Sequence, residues 1–321
     1  AAHRQGHFGE RRAGLHRSAA REAPRAAHRG GPLTATLPDD IRALYPWTPE
    51  SFSLQNGHRL SYLDEGEGKP LVMVHGNPTW SFYYRHLVQA FAGDHRCVVP
   101  DHLGCGMSDK PQDWTYRLED HIDNLVQLVE HLDLRDITLV VHDWGGAIGL
   151  GAAERFPERV ARLVILNTGV FDGPLPASIK ASRLPLLGDL FIRVGLLQAP
   201  ADRARYAGAV GRGYLWPYGS WRDRIAHLRF VQDIPLEETH PTRELFFSIG
   251  DGLSVFAEHP ALIVWGEQDF CFTPHYRRGF EERLPKAESH PLQDASHWVA
   301  EDAHEQLIPL MRDFIGRHPI G

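Results

Sequence analysis

Between Ile137 and Gly146 the chain reads ITLVVHDWGG, and this stretch limits the possible folds more than any other. A run of β-branched residues and leucine is the pattern of a strand buried on both faces. It stops at His142-Asp143-Trp144, turns through Gly145-Gly146 and resumes over Ala147–Arg155 as a predicted helix. A strand that turns this sharply into a helix pushes one side chain out over the end of a parallel sheet. In the commonest version that side chain is a serine with glycine two places to either side. Here the apex is Asp143. Gly145 stands two places later, and Val141 occupies the place of the earlier glycine.

The rest of the chain repeats the alternation. Leu71–Val74, Cys97–Pro100, Arg162–Asn167 and Ala261–Trp265 read as buried strands, and Ala287–Pro291 as the last. Helices are predicted over Phe82–Phe91 and over Arg117–Leu132, where Leu118, Ile122, Leu125, Val129 and Leu132 share one face. Leu307, Leu310, Met311 and Phe314 give a final helix its buried side. Ser51–Gln55 and His58–Asp64 flank Asn56-Gly57, a strong hairpin signal. Strands alternating with helices imply an α/β fold, a mostly parallel central sheet covered by helices on both faces.

Two segments break the rhythm. Residues 1–31 hold seven arginines and four histidines against only Glu10 and Glu22, with almost no large apolar residue. Such a composition cannot bury enough surface to order itself, so residues 1–37 are expected to form a disordered basic tail. From Phe171 to about Ser254 the chain turns rich in proline, arginine and aromatics without a convincing strand. This predicts a helical cap over 171–254, inserted between core segments 38–170 and 255–321.

Composition excludes several function classes. A net charge of −7 argues against a nucleic-acid partner. No apolar run approaches the ~20 residues that a membrane span needs. Cys97, Cys105 and Cys271 are too far apart for a disulfide framework or a metal motif, and read as reduced thiols of a cytoplasmic protein. The twenty histidines include no H-E-x-x-H and no zinc spacing. No metal and no cofactor is therefore expected, and most histidines are expected at the solvated surface.

Three acid/base residues fall at the C-terminal ends of three predicted strands: Asp143, Asp269 and His297. That edge is where ligands bind in open α/β sheets. An aspartate after a strand is usually a loop cap, and a lone histidine is usually structural. The three together, in the order nucleophile, acid, histidine, match the α/β-hydrolase order. A carboxylate with a pKa of ~3.9 is already ionised at neutral pH and can attack carbon without a base. His297 would then activate water against the resulting ester, with Asp269 holding the imidazole. The backbone N–H groups of Trp144 and Asn77 would stabilise the oxyanion. All three members being intact argues against a non-enzymatic binder on the same scaffold.

HGNPTW, PDHLGCGMSDKP, VHDWGG, WGEQD and DASHW together resemble the haloalkane dehalogenases of the α/β-hydrolase superfamily, over roughly residues 38–318. The resemblance implies an α/β-hydrolase fold and cleavage of carbon–halogen bonds in small apolar substrates through an alkyl ester on Asp143. It assigns the leaving group to the indole N–H of Trp144 and the side-chain amide of Asn77. Without it, Trp144 reads as a core aromatic and Asn77 as a turn-former before Pro78. In some dehalogenases the acid is a glutamate after the strand preceding the cap. Here that position is Asn167, so Asp269 is the better acid and Asp172 the weaker candidate. This combination resembles the third dehalogenase subgroup.

The cap sentence YGSWRDRIAHLRFVQDIPL also resembles the bacterial β-lactone decarboxylases of long-chain olefin synthesis, which share the same triad and donor pair. Leu184–Leu197 could line their alkyl tunnel, or equally form ordinary cap core or a contact in a homo-oligomer. Epoxide hydrolysis is a further alternative, and would recruit Tyr206, Tyr214 or Tyr218 as phenol donors over the nucleophile.

Overall fold

The computed structural model describes residues 37–184, 186, 188, 189, 192, 193 and 207–321. The basic tail up to residue 36, Tyr206 and most of the Leu184–Leu197 segment lie outside the described residues. Leu37, assigned to the tail by composition, is instead buried, with 5% of its surface exposed. It packs in the same apolar cluster as Tyr45 and Trp80, so the folded region begins at least one residue earlier.

Eight strands form one sheet: β1 (Glu50–Ser53), β2 (Arg59–Glu65), β3 (Pro70–Val74), β4 (Arg96–Pro100), β5 (Ile137–His142), β6 (Val160–Leu166), β7 (Ala261–Gly266) and β8 (Glu288–Leu292). The order across it is β1-β2-β4-β3-β5-β6-β7-β8. β1 and β2 form the hairpin at Asn56-Gly57, and β2 runs antiparallel to β4. The remaining pairs are parallel. The continuous apolar runs follow from burial on both faces. In β3, Val72 and Val74 join one apolar cluster while Leu71 and Met73 join the other. In β6, Leu163 and Ile165 divide from Val164 and Leu166 in the same way.

Helix α1 (Asp39–Leu44) precedes the sheet, and α2 (Arg85–Phe91), α3 (Leu118–His131) and α4 (Trp144–Ala153) follow β3, β4 and β5. Between β6 and β7 come α5 (Ala177–Ser182), α6 (Gly208–Leu215), α7 (Ile225–Gln232) and α8 (Arg243–Gly252), with no strand among the described residues. The chain closes with α9 (Pro274–Arg283), α10 (Val299–Asp302) and α11 (His304–Arg317), whose buried residues are Leu307, Met311 and Phe314. Among the described residues no helix is long and apolar enough to cross a membrane.

The histidines correct one expectation. Among the described residues only His131 and His275 are exposed, while His75, His102, His121, His142, His227 and His297 are buried. A neutral imidazole is a flat ring that packs like an aromatic, and these do so: His121 stacks on Phe230 with centroids 4.6 Å apart. Burial holds His75 and His121 well below the usual imidazole range, and lowers His102 to about 4.

Candidate active site

The elbow after β5 begins its helix at Trp144 rather than at Ala147, so Asp143 is the residue immediately before the first helical turn. Its φ of 53° lies in the left-handed region that a β-carbon disfavours. Three contacts hold it there. Its N–H donates to the Asn167 carbonyl at 3.0 Å, and its own carbonyl accepts from Gly146 N–H at 2.9 Å and Thr168 Oγ1 at 2.5 Å. The glycines are required by crowding. A β-carbon on Gly145 would sit 2.0 Å from the Val74 carbonyl oxygen, and one on Gly76 would sit 2.1 Å from Asp143 Oδ1.

The structure brings the sequence-predicted residues together. Asp143 Oδ1 accepts the Asn77 backbone N–H at 2.6 Å, and the Trp144 backbone N–H also bonds the carboxylate. His297 Nε2 lies 3.6 Å from Asp143 Oδ2, and its Nδ1 lies 2.8 Å from Asp269 Oδ2. Burial pushes the Asp143 carboxyl up to about 6, against the opposing pull of His297 and the two backbone donors. The carboxyl therefore does not keep the ordinary value that a solvated aspartate would have, although it remains mainly ionised at neutral pH. Asp269 goes the other way. Burial works to raise it, but the charge and hydrogen bond of His297, with Cys271 N–H and the Asn167 amide, hold it below the usual carboxylate range.

Asp269 also accepts Cys271 N–H at 2.6 Å and Phe272 N–H at 3.0 Å through Oδ1, leaving Oδ2 for His297 and Asn167. Asp172 lines the same cavity, and its carbonyl accepts from His275 Nε2 at 3.1 Å, while Asp269 is the carboxylate 2.8 Å from His297 Nδ1. The donors differ in availability. Asn77 Nδ2 donates to the His227 carbonyl of α7 at 3.3 Å, and its Oδ1 is buried without a hydrogen-bond partner among the described residues. Trp144 lines the cavity and packs against Phe230 at 5.5 Å.

Above the array lies a cavity of about 210 Å³, walled chiefly by apolar side chains including Phe171, Leu175, Ile234, Phe246 and Phe272. Of the phenols proposed as epoxide donors, Tyr214 and Tyr218, which lie among the described residues, point elsewhere. Tyr214 donates to Glu301 Oε2 at 2.6 Å, and Tyr218 accepts from Gly106 N–H at 2.9 Å. Neither lines the cavity; Tyr276 does, with its hydroxyl donating to the Pro174 carbonyl at 3.3 Å.

Three supporting residues escaped the sequence reading. Asn167 Nδ2 donates to Asp269 Oδ2 at 2.9 Å and to the Gly266 carbonyl at 3.0 Å, while its Oδ1 accepts Gly266 N–H at 2.8 Å. His142 Nε2 is 2.8 Å from the His297 carbonyl. His75 Nε2 accepts the His102 N–H at 3.1 Å, so its Nδ1 carries the proton and donates to the Gly76 carbonyl at 2.8 Å, bracing the loop that presents Asn77. Asn167 was visible only as a missing glutamate, and the two histidines gave no signal beyond their place beside the motifs.

Residues 69–303 match the family model of the alpha/beta hydrolase fold. The chain is 45% identical over 279 residues to a cis-3-alkyl-4-alkyloxetan-2-one decarboxylase of Shewanella oneidensis, covering 82% of this chain and 87% of that protein. Its namesake in Xanthomonas campestris pv. campestris is 42% identical over 297 residues, 86% of this chain and 98% of that one. Haloalkane dehalogenase 2 of Mycobacterium tuberculosis is 29% identical over 280 residues, 85% of this chain and 96% of that protein. Among solved structures, the haloalkane dehalogenase DatA of Agrobacterium tumefaciens C58 superposes with a TM-score of 0.73 at 25% identity, over 84% of this chain and 97% of that one.

Proposed function

The chain belongs to the α/β-hydrolase fold family, and from that premise we propose that it decarboxylates cis-3,4-dialkyl β-lactones to alkenes. The observation that carries this reading is the identity of 45% and 42% to two oxetanone decarboxylases over nearly their whole length. It displaces carbon–halogen cleavage, the first reading of the sequence, for which haloalkane dehalogenase relatives offer 29–32%.

The geometry supports a route that balances. Asp143 Oδ2 attacks C4 of the lactone in line with the ring C4–O bond, which breaks. The ring oxygen leaves as part of a carboxylate on C3, and C4 becomes esterified to Asp143. The side-chain amide of Asn77 and the indole N–H of Trp144 are the neutral donors that would meet that carboxylate. The C3–carboxylate bond then breaks, its electron pair forms the C3–C4 double bond, and the C4–Oδ2 bond breaks. Carbon dioxide, an alkene and the Asp143 carboxylate result, and no water is consumed. Inversion at C4 followed by anti elimination carries a cis lactone to a cis alkene.

The second reading, haloalkane hydrolysis, is favoured by the same donor pair and by the likeness to DatA. The two separate in one experiment. A long-chain cis-β-lactone and a short bromoalkane are offered to the same preparation, and alkene, carbon dioxide and bromide are measured. Fast cis-alkene formation with slow bromide release supports the lactone reading. Bromide release without alkene refutes it.

A further inference from the structure

One polar ring beside Asn77 has no part in the route above. His227, on α7, is buried, and neither ring nitrogen has a hydrogen-bond partner among the described residues. Burial, with Lys110 and Arg224 nearby, lowers the imidazole to about 3, so the ring is neutral and carries one N–H. The backbone carbonyl of His227 accepts from Asn77 Nδ2 at 3.3 Å. The ring meets Tyr218 edge to face, with centroids 4.1 Å apart. The Tyr218 hydroxyl in turn reaches the Thr79 carbonyl at 3.4 Å, two residues past Asn77, so the imidazole stands beside the loop that presents the donor. Asn77 has an unmet group of its own, the buried Oδ1. Native chains leave few buried polar groups unmet, because each costs free energy. Here an unmet acceptor and an unmet donor belong to two residues that a hydrogen bond already joins.

We infer that His227 is a positioning residue for Asn77, its ring N–H closing on Asn77 Oδ1 when an anionic leaving group takes Nδ2. The inference rests on Asn77 meeting such a leaving group, which the lactone and haloalkane readings share. In the structure Nδ2 is tied to the His227 carbonyl by one long bond to a neutral acceptor. A carboxylate or halide accepts more strongly and draws Nδ2 toward the cavity that Asn77 lines. The amide plane swings with it, and Oδ1 comes to the imidazole N–H. His227 then selects the amide orientation twice, its carbonyl repelling Oδ1 and its ring attracting it, so Oδ1 is kept off the anion. A hydrogen bond at Oδ1 also polarises the amide and strengthens its N–H as a donor. Because the ring is neutral, it does so without adding a cation that would hold the leaving group back. Trp144 requires no such partner, since an indole presents only a donor.

The test is a double-mutant cycle read in the first turnover of a long-chain cis-β-lactone. Rapid quench follows formation of the Asp143 ester, and separately its breakdown, in the wild type, His227→Phe, Asn77→Ala and the double variant. Phenylalanine keeps a ring against Tyr218 and removes the N–H. Ester formation in His227→Phe is expected to slow about 3–10-fold, the contribution of one neutral hydrogen bond, with ester breakdown unchanged. In the Asn77→Ala background the same substitution is expected to change nothing. His227→Gln, which returns an N–H, is expected to recover most of the loss. A wild-type rate in His227→Phe overturns the inference, and so does equal slowing with and without the Asn77 side chain, the mark of a merely structural ring. A second measurement requires no turnover and no folded His227→Phe. Bromide is titrated into the wild-type protein, and the His227 ring N–H, identified by its absence in His227→Gln, is followed by NMR. A downfield shift that saturates with bromide is expected. A ring signal unmoved by saturating bromide, or no saturable bromide binding at all, overturns the inference. Absence of lactone turnover overturns the decarboxylase reading instead, and the bromide titration still decides the role of His227.

Discussion

Asn167→Ala is expected to destabilise the fold by about 3–5 kcal/mol, because three buried hydrogen bonds lose a partner and each unsatisfied group costs about 1–3 kcal/mol. Asn167 is fully buried, and its amide ties Asp269 Oδ2 and both polar groups of Gly266 to the end of β6. The loss is a large part of the ~5–15 kcal/mol that a folded domain has. Asn167→Asp keeps the shape and separates packing from charge. It sets an oxygen in place of the donor 2.9 Å from Asp269 Oδ2. Two carboxylates at that distance repel by about 6 kcal/mol at an effective dielectric of 20, enough to keep a proton on the pair. A carboxyl whose folded pKa is raised costs stability as pH rises through that value. The Asp variant should therefore approach the wild type at low pH and fall away from it toward pH 8. Urea unfolding at pH 5 and pH 8 measures both effects. A loss under about 1 kcal/mol for Asn167→Ala, or a pH-independent loss for Asn167→Asp, would refute the bracing role.

Other consequences can be measured directly. Burial raises the Asp143 carboxyl to about 6, and only the carboxylate attacks carbon, so kcat/KM should be flat above that pH and fall tenfold per unit below it. An inflection near 4 in the pH–rate profile would contradict this. Gly76→Ala places a β-carbon 2.1 Å from Asp143 Oδ1 and should cost about 100-fold in turnover, with the circular dichroism unchanged. Wild-type turnover would show that the nucleophile is free to move. Asn77→Ala should slow leaving-group departure about 100-fold or more while sparing ester breakdown. Rapid-quench measurement of the first turnover checks this, and a normal first turnover would remove the side-chain amide from the leaving-group role.

Much of this arrangement was legible in the chain. The elbow, the buried strands and the hairpin at Asn56-Gly57 follow from local patterns of period and turn chemistry, and β5, β6 and β7 appear within two residues of where the sequence puts them. Asp143, Asp269 and His297 could be found because strand ends in a parallel sheet converge on one edge. What could not be read was anything that depends on residues distant in sequence. The raised Asp143 carboxyl comes from its burial in the folded chain, the Asn167 brace from the meeting of β6 with β7, and the buried histidines from rings that pack on partners many residues away. Tyr214 and Tyr218 were misread for the same reason, since proximity in sequence to the inserted helices says nothing of which way a phenol points.

The most direct test of the central claim is Asp143→Asn, assayed for alkene and carbon dioxide with a long-chain cis-β-lactone. The amide cannot act as the nucleophile, so both products should fall to the uncatalysed rate while the fold, read by urea unfolding, is retained. Alkene formation at the wild-type rate by the folded variant would contradict the account.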